Sequence, residues 1–363
     1  MKLKICPECG VPEIITSEHL WSNNGDIMHS RDKSSRIIFL ETENLDPLFH
    51  GIEQIIGMPI ENMIITASRR AYRTYTKAFI PESIRKKIQQ KEIDYGPYDA
   101  AFRDVAGLNG CGRYEEVSRR YERDDDDYDI VTISEPFCVP MTVSAHLGAI
   151  ESLTGIDQSY KYEEVSDGVY KITSYPSPHS EELKERLRSE PYKHRDGGLE
   201  LERCTTCGGP ILLAGYQWLP DRGIIVNRTT ARRMSISGNA LMDPVFLELE
   251  KELGDIIPRA VVEAQRRFTK GGFYTMDDIA EEGDFRTQLA LRGLGNLKEL
   301  TMKSEGMYMR LDNVALPLII VGLAQGFFEM GFGLDESEVD WEISEDGVLD
   351  MEVKPSQAFA LHP

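Results

Sequence analysis

The chain has 363 residues, a formal net charge of −20, 41% hydrophobic residues and 28% charged residues. This balance is ordinary for soluble globular proteins, and the length suits two domains rather than one. No basic stripe offsets the acids, which argues against nucleic-acid phosphates and acidic lipid as partners.

Residues 1–14 carry the first motif, Cys6-Pro-Glu-Cys9-Gly, a hairpin knuckle that aims two thiols at one point. Such a pair is half of a tetrahedral zinc site. No signal peptide precedes it, since Met1-Lys2-Leu3-Lys4 runs directly into the knuckle. The six cysteines are therefore expected to be metal ligands plus two free thiols in a reducing, cytoplasmic compartment. Residues 15–42 read as short strands, with Trp21, an Asn23-Asn24-Gly25-Asp26 turn and an alternating strand Arg36–Glu41. Asn44 or Asp46 is placed to cap a helix with Pro47 in its first turn, and Leu48, Ile52, Ile55 and Ile56 follow helical spacing. Gly57 and Pro59 end it, and a second helix over about 60–77 presents Ile60, Ile64, Ala67 and Ala71 on one face.

A further helix, the turn Gly107–Gly112 and two strands occupy 96–135, around the acidic run Asp124–Asp127. Four adjacent acids in a hairpin read as a solvated loop rather than a cation site. A helix over 140–153 and strands over Tyr160–Tyr175 complete this part. A polar linker over 179–200 follows, with the 181–186 segment expected to be helical.

The second knuckle, Cys204-Thr-Thr-Cys207-Gly, opens a stretch that repeats the first. At a shift of 197, Trp21 falls on Trp218, Arg36 on Arg233, Asp46-Pro47-Leu48-Phe49 on Asp243-Pro244-Val245-Phe246, and Arg69-Arg70 on Arg266-Arg267. Pro140 matches Pro317, Gly155-Ile-Asp157 matches Gly333-Leu-Asp335, and Asp167-Gly-Val169 matches Asp346-Gly-Val348, at shifts of 177 to 179. The ordered matches indicate a tandem duplication whose first copy carries an insertion of about twenty residues between 71 and 130. The expected domains are a first copy over 1–178, a linker over 179–200 and a second copy over 201–363. The apolar stretch Val314–Leu334 is interrupted by Gln325 and Glu329 and is read as a buried helix, not a membrane span.

The second copy shows a helix pair, a Gly293-Leu-Gly295 turn, the Gly-rich apolar helix Gly322-Leu-Ala-Gln-Gly326-Phe-Phe-Glu329 and closing strands over Val339–Val353. In this order of elements, and in its first-copy counterpart, the chain resembles the 4-vinyl reductase domain family. That family is related in fold to haem nitric-oxide-binding domains and to transport-protein-particle subunits. The resemblance implies an α+β fold, with two tandem helix-flanked antiparallel sheets, and a small-molecule-binding role. The closing hairpins, Glu163–Gly168 and Glu342–Gly347, lack the cysteines typical of the family, so its own metal site is not expected.

Cys6, Cys9, Cys204 and Cys207 together make one complete structural zinc site, with no open position for a substrate. The Gly and Pro after each knuckle favour turns over the helix start that a redox dithiol needs. In Arg69-Arg70 and Arg266-Arg267 one Arg is read as snorkelling over apolar neighbours and pairing with an acid, in preference to recognising a carboxylate or phosphate. Cys111 and Cys138 read as small buried hydrophobes, and His146 as a packed residue rather than a haem ligand. No nucleophile elbow, phosphate loop, HExxH or dinucleotide fingerprint is present. The expected function is non-catalytic binding of an apolar or aromatic small molecule. Thr142, Ser144, His146, Gln325 and Glu329 are its candidate pocket residues, and the pocket is expected to differ between copies because Thr142, Ser144 and His146 sit where the second copy has Ile319, Val321 and Leu323 or a neighbour. The alternatives are a protein-docking subunit or assembly factor, with a protein partner, and an enzyme of tetrapyrrole or aromatic metabolism.

Overall fold

The computed structural model describes residues 3–31, 33, 35–179, 193–238, 241–279 and 282–356. The 181–186 segment lies outside them. Among the described residues the fold is α+β, with ten α-helices and three antiparallel sheets.

The first half begins with a short helix, α1 (Glu13–Glu18), and three strands, β1 (His19–Trp21), β2 (Ile27–His29) and β3 (Arg36–Glu41). Helices α2 (Leu45–Ile56), α3 (Glu61–Phe79), α4 (Glu82–Gln89) and α5 (Gly96–Leu108) follow. Strands β4 (Arg113–Arg120) and β5 (Tyr128–Ser134), helix α6 (Val139–Thr154), and strands β6 (Gln158–Ser166) and β7 (Val169–Pro176) close it. The second half holds β8 (Tyr216–Leu219), β9 (Ile224–Asn227), β10 (Arg233–Gly238), α7 (Asp243–Leu253), α8 (Ile256–Phe268) and α9 (Glu282–Leu291). It ends with β11 (Asn296–Lys303), β12 (Gly306–Asp312), α10 (Pro317–Phe332), β13 (Ser337–Ile343) and β14 (Leu349–Pro355).

The two halves share one sheet, in the order β1-β2-β3-β10-β9-β8. Its centre is the antiparallel pair β3–β10, in which Phe39 lies opposite Ile236 and Ile37 opposite Gly238. Alternation along β3 sends Ile37 and Phe39 to the knuckle side, where they join Cys6, Cys204, Tyr216 and Ile236. Ile38 and Leu40 point the other way, into the largest core, with Leu48, Val245 and Ile320. Each half also owns a four-stranded sheet, β4-β5-β7-β6 in the first and β11-β12-β14-β13 in the second.

Helices cross between halves. α2 packs on α8 and α7 packs on α3, whereas α3 packs on α6 and α8 on α10. The backbone follows suit: Phe39 N–H donates to the Arg292 carbonyl at 2.9 Å, and Ile236 N–H to the Asn109 carbonyl at 2.7 Å. Strands that belong to one half in sequence are thus clasped by the other half's helix ends.

The expected caps on α2 act elsewhere. Asn44 makes no side-chain cap there and donates instead to Gln265 Oε1 at 2.9 Å on α8. Asp46 accepts from Val139 N–H at 3.2 Å, at the start of α6. The acidic run is a closed turn: Arg120 pairs with Asp124 and Asp127, while Asp127 accepts from the N–H groups of Glu122 and Arg123. No helix among the described residues is long and apolar enough to cross a membrane. The 16-residue α10 is about 24 Å long at 1.5 Å per residue, short of a bilayer core.

Candidate functional site: a four-cysteine cluster and a one-sided cavity

The knuckles meet at the top of the shared sheet. Cys6 Sγ lies 3.7 Å from Cys204 Sγ, and Cys9 Sγ 3.5 Å from Cys207 Sγ. All four sulfurs fall within 4.8 Å of one another. Sulfurs about 2.3 Å from a tetrahedral zinc sit roughly 3.8 Å apart, so the spacing suits a bound ion and is far too long for disulfides. The two hairpins have matching hydrogen bonds, Gly10 N–H to the Cys6 carbonyl and Gly208 N–H to the Cys204 carbonyl, both 2.9 Å. The N–H groups of Cys9 and, less, Glu8 point at the Cys6 sulfur and hold that thiol down to about 7. Burial pushes the Cys9 and Cys204 thiols up. A divalent cation would reverse that penalty by neutralising the thiolates. Glu8 clips the hairpins together, accepting from both N–H groups and both hydroxyls of Thr205 and Thr206.

Beneath β10, between α3, α5 and α6, lies a cavity of about 130 Å³. Tyr72, Tyr75, Phe102, Tyr114 and Phe137 wall it, with Asp99, Arg103, His146 and Cys111 among the polar or ionisable groups. Val105, 47% exposed, is part of the lining, so the cavity meets solvent beside α5. Asp99 is 2% exposed, and burial lifts its carboxyl to about 7 despite Arg103 Nε at 3.2 Å. His146 is held neutral by burial, its Nε2 3.6 Å from Asp129 Oδ1. Asp129 in turn accepts from the Tyr95 hydroxyl at 2.7 Å.

The corresponding place in the second half is nearly filled, with about 20 Å³ left. The substitutions responsible are readable in pairs. Leu40 and Glu41 project there from β3, where β10 offers the smaller Ser237 and Gly238 to the first cavity. Leu323 lines the second space, where the first has Ala145 and His146. Arg292, which donates to both oxygens of Glu41, stands where the first half has Asn109.

Of the five pocket residues expected from sequence, only His146 lines the cavity. Thr142 is buried on α6, and Ser144 donates to the Pro140 and Ile65 carbonyls. Gln325 donates to the Ser337 carbonyl at 2.9 Å. Glu329 accepts from Arg266, Lys270 and Ser337, each at 2.7 Å. Of the arginine pairs, Arg69, Arg266 and Arg267 meet acids, while Arg70 Nη2 is buried without a hydrogen-bond partner among the described residues. Arg69 and Arg73 converge on Glu151 in the first half, as Arg266 and Lys270 do on Glu329 in the second. Glu151, Asp157 and His179 also cluster closely, but Arg73 donates to Asp157 at 2.7 Å within that group and fills the role of a cation.

Asp99, Arg103 and Phe102 lie on α5 and were not singled out in the sequence reading, although α9 carries Phe285-Arg286 where α5 carries Phe102-Arg103, a match at a shift of 183 that was the signal available for them.

No protein family model and no curated protein matches the chain. Weak structural neighbours are H-NOX domains. A Cs H-NOX mutant with 4-cyano-L-phenylalanine at site 5 is 12% identical over 40% of this chain and 84% of its own, with a TM-score of 0.24. The I5F mutant of T. Tengcongensis H-NOX is 12% identical over 39% and 83%, also with a TM-score of 0.24. Likeness this low bears on neither ligand nor cofactor.

Proposed function

We propose that the chain is a binding module that takes one small, largely apolar or aromatic molecule into the first-half cavity, with a structural zinc ion held by Cys6, Cys9, Cys204 and Cys207. The observation that carries the reading is the asymmetry between two corresponding places, one of about 130 Å³ and the other of about 20 Å³. A packed core leaves few voids larger than water, so an aromatic-walled space retained on one side alone points to an occupant. A dry cavity on the order of 150 Å³ accepts a benzene-sized molecule, so the ligand is about one ring in size. That is smaller than the several hundred cubic ångströms common for drug-sized ligands.

The zinc would contribute folding energy and fix the knuckles against each other, its four thiolates leaving no vacant position. None of the six cysteines is in a disulfide, which accords with a reducing compartment such as the cytoplasm.

A tandem duplication, with copies over 1–178 and 201–363 and a linker over 179–200, is part of the same reading. Phe39 and Ile236 are equivalent at a shift of 197 and lie opposite each other in the sheet, as the strands of a pseudo-twofold pair must. The paired sulfurs and the two acid–cation clusters obey the same relation. The 4-vinyl reductase resemblance accords with such a binding role.

The test is ligand-observed NMR with ethylbenzene as the probe. Wild type should bind it and Ala145→Leu, which fills the cavity, should not. Equal binding by both proteins, or by neither, overturns the reading.

A further inference from the structure

The cavity contains a group that a pure hydrocarbon does not satisfy. Asp99 is 2% exposed and lines the cavity, yet among the described residues its carboxylate accepts no hydrogen bond and its Oδ2 is buried without one. Arg103 approaches it through Nε at 3.2 Å while Arg103 Nη2 donates to Glu116 at 3.0 Å. A buried acceptor without a donor is destabilising. The rings of Tyr72, Tyr75, Phe102, Tyr114 and Phe137 enclose the same space, and their negative faces attract a cation.

The second half shows what meets this need when no ligand does. There Glu41, 7% exposed, is bonded at both oxygens by Arg292, close to Tyr216 and Tyr274. Arg292 and Asn109 are equivalent by the strand clasps they make, to Phe39 and Ile236 respectively. Arg292 thus bonds both carboxylate oxygens of Glu41, whereas Arg103 stands beside Asp99 without donating a hydrogen bond to it.

We propose that the occupant of the first-half cavity is a small organic amine, about one ring in size, whose ammonium or N–H group is accepted by Asp99 and enclosed by the aromatic walls. This inference rests on the binding reading above and specifies its ligand class. A carboxylate ligand is disfavoured by the acid, and a hydrocarbon leaves it unpaired.

The groups facing Asp99 are Tyr95 and Arg103 near and on its own helix, Tyr114, Glu116 and Arg119 from β4 and Asp129 from β5; His19 from β1 and His146 from α6 line the same cavity, and burial lowers the pKa of both imidazoles. Arginine charge is constant near neutrality, so the amine should bind more tightly as pH rises from 6 to 8 and Asp99 ionises.

The experiment is a calorimetric titration of the zinc-loaded full chain with benzylamine, its neutral isostere ethylbenzene, and benzoate. Wild type should bind benzylamine at least tenfold more tightly than ethylbenzene and leave benzoate unbound. Asp99→Asn should abolish the benzylamine preference and its pH dependence while keeping ethylbenzene. Ethylbenzene binding with no amine preference, or a preference that survives Asp99→Asn, overturns the amine assignment and leaves the cavity reading standing. Binding of neither probe overturns both. Should Asp99→Asn fail to fold, wild type decides: an amine affinity flat from pH 6 to 8 contradicts the inference.

Discussion

Asp99 and His19 show how one cavity wall can carry two titratable groups with opposite consequences. His19 Nδ1–H donates to the Ile15 carbonyl, 2.8 Å away, and burial, with His29 nearby, pushes its imidazole down from 6.5 to about 4. The folded state thus resists protonation that the unfolded chain accepts. Its contribution to stability is complete above pH 6.5 and is lost as the pH falls towards 4. Between those values the unfolding free energy of wild type should fall more steeply than that of His19→Gln, by about 1.4 kcal/mol per pH unit. Urea titrations at a series of pH values measure this, and parallel slopes would refute it. At the opposite pole of the fold, Glu329 is fully buried between Arg266 and Lys270. Glu329→Leu strands two cations and should cost about 3–5 kcal/mol in denaturant unfolding. A cost under 1 kcal/mol would mean that the cluster is not structural.

Among the elements, the helix pairs α3–α6 and α8–α10 depend on close approach at glycine. A Cβ on Gly148 would stand 2.7 Å from the Arg69 carbonyl oxygen, and one on Gly326 would stand 2.6 Å from Thr269 Cβ. Gly148→Ala and Gly326→Ala should each destabilise by roughly 1–3 kcal/mol, the usual cost of overpacking. Unchanged denaturation midpoints would contradict the close packing. These helices were legible in the sequence almost to the residue, because Pro140 and Pro317 mark their starts and Gly155 and Gly333 their ends. The knuckles were legible for a similar reason, since thiol spacing constrains geometry directly. The cavity was not. Its walls depend on Asp99 and Phe102 from α5 and on Ser237 and Gly238 reaching across from the other half. No periodicity along the chain encodes that crossing. Asp46 illustrates the same limit: its position suits a cap for α2, yet it caps α6.

For the whole molecule, the shared sheet and the four cysteines bind the halves into one clasped unit. Metal analysis of protein prepared without chelator should return one zinc per chain, and Cys204→Ser should lower the Tm and abolish it. Two zincs per chain, or none, would remove the clasp. The central claim is that one half alone receives a ligand, and native mass spectrometry of protein purified from its source tests it most directly. The account predicts the chain mass plus one zinc and one small organic adduct of about single-ring size, the adduct being absent from Ala145→Leu. Two equal adducts per chain, or an adduct that persists in Ala145→Leu, would contradict it.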